Sequence, residues 1–396
     1  MSADGPFPRR GAPPRGGRMN GTTVQRVDVH RVACSGPGDL SGVQALVDRG
    51  TLNPADIVAV MGKTEGNGCV NDHTRDFAAT SWCHFLSPHL NCSAPEVAQR
   101  VALVMSGGTE GVLSPHFTVF TRRRVPATAA TAKRLVIGVA HTRDFLPEEI
   151  GRPAQIDATS DAVHAAMRDA GISDPADVHF VQVKCPLLTS AKVNAAQQRG
   201  AAPVTHDSYE SMGFSRGASA LGVAVALGEV ARAEITPAAV LANWSLYSAR
   251  ASASAGIELE CNVVIVLGEA PGAASPCRIA HTVMHDAVDA ASVRQLLREA
   301  FGLDSERDGT ALSQRLVNLL AKAEASPDGL VRGARHTMLN DSDINATRHA
   351  RAAVGGVLAS VVGCTALYVS GGAEHQGPAG GGPVAAIVHM EPEASE

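Results

Sequence analysis

One five-residue pattern occurs three times in this chain, at intervals of roughly a third of its length. The copies are Ser106-Gly107-Gly108-Thr109-Glu110, Ser254-Ala255-Gly256-Ile257-Glu258 and Ser370-Gly371-Gly372-Ala373-Glu374, each a Ser, two small residues, a spacer and a Glu. One such pentapeptide constrains little, but three require that the chain be read as one unit triplicated, and then other residues must recur with them. They do. Lys63, Lys184 and Lys322 each end an apolar run, and between each Lys and its Ser an Arg heads a stretch of small residues: Arg75, Arg216 and Arg351. Arg348 competes with Arg351, one helical turn away. In the second and third units a Gly follows the Arg twelve positions on, Gly228 and Gly363.

The length of 396 residues is comfortable for three units of about 110 to 140 residues each. The expected division is a disordered leader over 1–22, rich in Pro, Gly and Arg, then units at 23–126, 133–269 and 275–396. Each unit reads as strand, Lys, loop, Arg-headed helix, strand, Ser turn, returning strand, so the fold class is α/β. The entering and returning strands are expected at Val101–Met105 and His116–Thr121, at Tyr247–Ala253 and Cys261–Leu267, and at Thr365–Val369 and Val384–His389. Further helices are expected at Ser160–Ala170 and Ala291–Phe301. Aromatics make up only 4% of the chain, so packing must rely on small side chains and close backbone approach.

Composition excludes several functions. A net charge of -5 gives no electrostatic case for nucleic acid, and Arg122-Arg123-Arg124 reads as a solvated loop between units. The uncharged run Ala352–Ala373 breaks at Gly363 and reads as a buried helix and strand, not a membrane span. The eight cysteines form no C-x-x-C pair, and with no secretory segment in view a reducing, cytoplasmic setting is expected. Gly62-Lys63-Thr64 resembles the end of a phosphate loop, but Ile57 stands where that motif needs Gly. His116, His141 and His336 show no metal-binding spacing and read as structural or surface residues. Cys185 is expected to face away from Lys184, because strand neighbours alternate.

The chemistry lies in the recurring set. A Ser hydroxyl becomes a nucleophile when a base takes its proton, and a Lys serves as that base when burial and cationic neighbours keep its amine neutral. Glycines beside each Ser let backbone N–H groups approach a ligand oxygen, and Arg side chains hold carbonyls or a developing oxyanion. If the units meet around an axis, three such sets suit a small ring bearing carbonyls all round. Symmetry leaves open which set attacks.

The stretches Gly62-Lys63-Thr64-Glu65-Gly66-Asn67-Gly68-Cys69-Val70-Asn71-Asp72, Met105 to Gly111, Val181 to Leu188 and Gly371 to Pro383 resemble the cyanuric acid hydrolase and barbiturase family over Val24 to His389. Gly68-Cys69-Val70 and Arg335 to Ala350 resemble its cyanuric acid branch. The resemblance implies three homologous α/β repeat units arranged with pseudo-threefold symmetry as a triangular prism, assembled as a homotetramer. It implies that Lys184 and Ser254 are catalytic. Arg75, Ser106, Gly107, Arg216, Ala255, Arg351, Ser370, Gly371, Lys63 and Lys322 would then bind the substrate, along with Ser254 itself. The implied reaction is ring opening of cyanuric acid to carboxybiuret, which decarboxylates to biuret; barbituric acid hydrolysis and non-catalytic binding of planar cyclic amides are the alternatives. No organic cofactor is implied, but a structural Mg²⁺ or Ca²⁺ is, held by Glu324 and oxygens around Ala373, Gln376, Gly377, Pro378 and Gly381.

Overall fold

The computed structural model describes residues 22–341 and 343–390, so the expected leader, up to residue 21, lies outside the described residues. Three four-stranded sheets follow one another along the chain. The first is built from β1 (Thr23–Ala33), α1 (Ser41–Asp48), β2 (Ile57–Thr64), α2 (His73–Leu90), α3 (Ala94–Arg100), β3 (Ala102–Gly107) and β4 (His116–Pro126). The second uses β5 (Lys133–His141), α4 (Pro153–Ala170), β6 (Val178–Pro186), α5 (Ser190–Gln198), α6 (Ser208–Ala226), β7 (Ala251–Gly256) and β8 (Val263–Pro271). The third uses β9 (Cys277–Met284), α7 (Ala290–Phe301), α8 (Gly309–Arg315) and β10 (Leu316–Ala323). It continues through a short hairpin of β11 (Leu330–Val331) and β12 (Ala334–Arg335) to α9 (Ala346–Val362), β13 (Tyr368–Gly371) and β14 (Gly382–His389).

The strand orders are β1-β4-β2-β3, β5-β8-β6-β7 and β9-β14-β10-β13, the same topology three times. Even the irregularities repeat: the register between the Lys strand and its antiparallel neighbour slips past Val58, His179 and Val317, each five residues before its Lys. A bulge re-aims the strand beyond it, so its recurrence sets the Lys side chains alike in all three units.

The sheets are buried on both faces. On the outer face each packs against its own helices, as Val136, Val264 and Val266 do with α4 and α6 in the second unit. On the inner face all three contribute to one core that includes Met61, Phe120, Phe180, Ile265, Leu320 and Tyr368. Double burial explains why the strands read as near-continuous apolar runs. Helices approach closely because small residues let them: a Cβ on Gly138 of β5 would stand 1.9 Å from the Ala166 carbonyl of α4.

Several sequence expectations need correction. Arg122-Arg123-Arg124 is no loop; it is the end of β4, which stays paired with β1 as far as Pro126. Arg122 and Arg123 there meet Asp169 and Asp28. Helix α4 begins at Pro153, seven residues before Ser160, because its first turns bury Gln155 and Thr159, which carry no apolar periodicity. The second entering strand is Ala251–Gly256, an alternation of Ala and Ser buried on both faces. The third starts at Tyr368, not Thr365. Only Arg75 heads its helix; Arg216 and Arg351 lie further inside α6 and α9, which start at Ser208 and Ala346. Gly228 and Gly363 both end their helices in the left-handed region, φ 69° and 67°. No helix among the described residues is long and apolar enough to cross a membrane.

Candidate active site

In each sheet the parallel pairing sets one Lys opposite one Ser: Lys63 with Ser106, Lys184 with Ser254 and Lys322 with Ser370. The three serines converge on a small central pocket that Arg75, Arg216, Arg351, Gly107, Ala255 and Gly371 also line. Ser106 and Ser370, from the first and third units, lie 3.4 Å apart through their hydroxyls. The lysines stand behind the serines, essentially without solvent exposure. Gly68, noted from the sequence only as part of a family-like stretch, and Met212, which was not singled out, also line the pocket. The pocket takes Arg351 and not Arg348, which reaches Glu110 from outside.

The units interlock in a cycle. Arg216 of the second holds Glu374 of the third through two hydrogen bonds of 2.8 and 2.5 Å. Arg351 of the third holds Glu110 of the first in the same way, at 2.8 and 2.7 Å. Arg75 of the first reaches the second unit, but donates to the Ala255 carbonyl at 2.9 Å and to its own loop at Cys69. Lysines reach the opposite way round: Lys184 donates to the Met105 carbonyl and Lys322 to that of Ala253, at 2.9 and 2.8 Å. The glycines of the repeated pattern make room for this. A Cβ on Gly108 or Gly372, both at positive φ, would stand 2.5 or 2.6 Å from the Arg351 or Arg216 guanidinium.

Burial is the largest influence on all three amines. It drives Lys63 well below the ordinary lysine range, helped by Arg351, and Lys322 down to about 7, helped by Arg216. Lys184 is also lowered by burial, against an opposing pull from Glu258. Lys63 and Lys322 donate to their own serines at 3.2 and 3.3 Å. The Ser254 hydroxyl is buried with no hydrogen-bond partner among the described residues. The site therefore offers amines that burial makes easier to deprotonate, serine hydroxyls and fixed guanidinium donors around one small space. That set can carry out acyl transfer on a polar planar ring.

The turn proposed for a metal lies beside Arg216. Glu324 is half-buried, and accepts from the Ala373 and Ala325 N–H groups at 3.0 and 2.9 Å. Burial, and then the nearby Glu374 carboxylate, push its carboxyl above the usual range. A hard cation would offset that charge, and the carbonyl-rich stretch 373–381 supplies matching donors. The Gln376 side-chain oxygen is committed to the Ala253 N–H at 2.7 Å, so that residue has only its backbone carbonyl to offer. Away from the site, Cys185 is buried in the outer core of the second unit with its thiol toward the Ser254 carbonyl. His116 is fully buried, between the Ser114 carbonyl and Asn318. His336 is half-buried against the Ser326 carbonyl, and His141 is exposed at the end of β5.

Residues 28–389 match the family described as amidohydrolase ring-opening protein. The chain is similar to the cyanuric acid amidohydrolase of Pseudomonas sp. (strain ADP), 61% identical over 92% of this chain and 99% of that protein. It is 60% identical to the cyanuric acid amidohydrolase of Bradyrhizobium diazoefficiens over 92% of this chain and 98% of that one. A solved cyanuric acid hydrolase, described as an evolutionary innovation by structural concatenation, superposes with a TM-score of 0.88. That likeness, at 60% identity, covers 93% of this chain and 100% of the other.

Proposed function

The chain belongs to the family of ring-opening amidohydrolases, and from that premise we propose that it hydrolyses the ring of cyanuric acid. It is a cyclic amide hydrolase. Ser254 is the nucleophile and Lys184 its base. The observation that carries this choice is the Ser254 hydroxyl, which lines the pocket yet is the one serine of the three without a partner.

The neutral Lys184 amine takes the Ser254 proton as the oxygen attacks a ring carbonyl. Arg75, Arg216 and Arg351 hold the remaining polar edge of the ring, and the backbone around Ala255 faces the developing oxyanion. The Lys184 ammonium then gives its proton to the departing ring nitrogen, which opens the ring and leaves an ester on Ser254. Water, activated by the same amine, releases carboxybiuret, which loses carbon dioxide to give biuret. Lys63 with Ser106 and Lys322 with Ser370 position and polarise the other two sides.

Glu324 and the carbonyls of Ala373, Gln376, Gly377, Pro378 and Gly381 would hold Mg²⁺ or Ca²⁺ in a structural role, fixing the turn that carries Glu374. The proposal includes a cytoplasmic homotetramer, as the family resemblance implies. The test is a side-by-side assay of cyanuric and barbituric acids that follows ring absorbance and biuret. Biuret from cyanuric acid supports the reading; turnover of barbituric acid alone, or of neither ring by folded protein, overturns it.

A further inference from the structure

The fifth residue of the repeated pattern is a glutamate in all three units, and its surroundings differ in one of them. Glu110 and Glu374 are each clasped by an arginine, with side chains only 10% and 13% exposed. Glu258 has no such clasp. Its carboxylate lies 3.5 Å from the Lys184 amine, and its side chain is 27% exposed along a groove it shares with Asp76 and Cys83 of α2. The arginine that symmetry would assign to it, Arg75, donates elsewhere, and its buried Nε makes no hydrogen bond among the described residues but faces the Asp72 carboxylate at 3.7 Å. In the other two units that same Nε binds the glutamate. The glycine space tells the same story. At Gly108 and Gly372 a Cβ would meet the arginine, and at Gly256 it would meet the Glu258 carboxylate itself, at 2.4 Å.

We propose that Glu258 is a positioning residue for the reaction: set against Lys184 where its two counterparts are held by arginines, it orients that amine toward Ser254 and stabilises the ammonium formed when the serine proton is taken. This rests on the reading that Ser254 and Lys184 perform the chemistry.

The Lys322 amine has only uncharged hydrogen-bond partners among the described residues, the Ala253 and Gly371 carbonyls and the Ser370 hydroxyl. Lys184 has the Met105 carbonyl and the Glu258 carboxylate instead, so the ammonium formed on attack meets a negative charge. The charged or titratable groups facing Lys184 are Glu258 from the turn after β7, Arg75 from α2, and Cys185 on its own strand. Glu258 alone among them is an anion at neutral pH, since its nearness to Lys184 and Arg75 outweighs burial and holds its carboxyl below the usual range. A base works best when its pKa lies near the working pH, and Glu258 opposes the lowering that burial imposes on this amine.

The test compares pH profiles of kcat/KM for cyanuric acid in the wild type, Glu258→Gln, Glu258→Asp and Ser254→Ala. In Glu258→Gln the optimum kcat/KM falls about tenfold or more, mainly in kcat, and the acidic limb moves to lower pH by about one unit. The direction follows from the charge: a carboxylate stabilises the ammonium, so removing it lets the amine lose its proton at lower pH. Glu258→Asp restores part of both effects, and it carries the same test should Glu258→Gln not fold. An acidic limb unmoved in the folded variants overturns the inference even if the rate falls, because a purely structural role lowers the rate without shifting the limb. Turnover by Ser254→Ala overturns the underlying reading instead, whatever Glu258→Gln does.

Discussion

The second unit's Lys–Ser pair and its counterparts in the first and third sit on the same topology, at the same register and beyond the same strand irregularity. Yet Lys63 and Lys322 bond to their serines, and their units' glutamates are taken up by arginines from the neighbouring unit. Around Lys184 the serine is unpartnered and the glutamate has come to the amine. On the proposed reading, a symmetric scaffold thereby acquires one working corner and two holding corners while each keeps its Lys, Ser, Arg and Glu. What differs is the place of one carboxylate: Glu258 lies against a lysine, and Arg75 faces Asp72 in its stead.

The comparison can be broken most sharply at the serines. Ser254→Ala is expected to lower kcat by at least about a thousandfold, as loss of a nucleophile does. Ser106→Ala and Ser370→Ala each remove one hydrogen-bonding group from a small polar pocket. They are expected to cost about ten- to a hundredfold in kcat/KM, mostly through KM. Steady-state kinetics of the three variants decides, and equal losses in all three would erase the distinction between the corners.

Removing divalent ions comes next in size. If the 373–381 turn holds a cation beside Glu324, chelation leaves that carboxylate with less compensation and loosens the Glu374–Arg216 corner. Thermal unfolding should fall by several degrees with EDTA and recover with Mg²⁺ or Ca²⁺. An unchanged melting temperature would remove the metal from the account.

The smallest effect concerns the holding corners themselves. Lys322 is lowered to about 7 from 10.5, so between those values the unfolded chain carries a proton that the native state lacks. Native stability from this group therefore rises as pH rises through that window, and its penalty is full below about 7. Lys322→Met should raise the melting temperature by about 2–4 °C at pH 7, and the gain should shrink toward pH 10. A gain independent of pH would mean that the amine is not neutral in the native protein.

Much of this was legible in the sequence because triplication turns weak signals into strong ones. Lys, Arg and Ser in fixed order three times pick out residues that the fold does bring together at the central pocket. The Glu was visible in the pattern, but its role was not. Glu110 and Glu374 take their arginines from another unit while Glu258 turns to a lysine of its own, and no local spacing records that difference. The choice between Arg348 and Arg351 was hidden for the same reason, since both lie on one face of α9 and both reach Glu110. Helix α4 started earlier than its apolar spacing indicated because buried Gln155 and Thr159 satisfy each other and Asn262 in a polar network. The Arg122–Arg124 strand was misread because charge was taken as a sign of loop, where β1 in fact continues to pair with it.

The account's central claim is that one corner of a threefold site does the covalent chemistry. The most direct measurement is peptide mass mapping of wild-type protein quenched in acid during turnover of cyanuric acid. The account predicts an acyl adduct on the peptide that contains Ser254 and none on those containing Ser106 or Ser370. An adduct on either of the latter would contradict it.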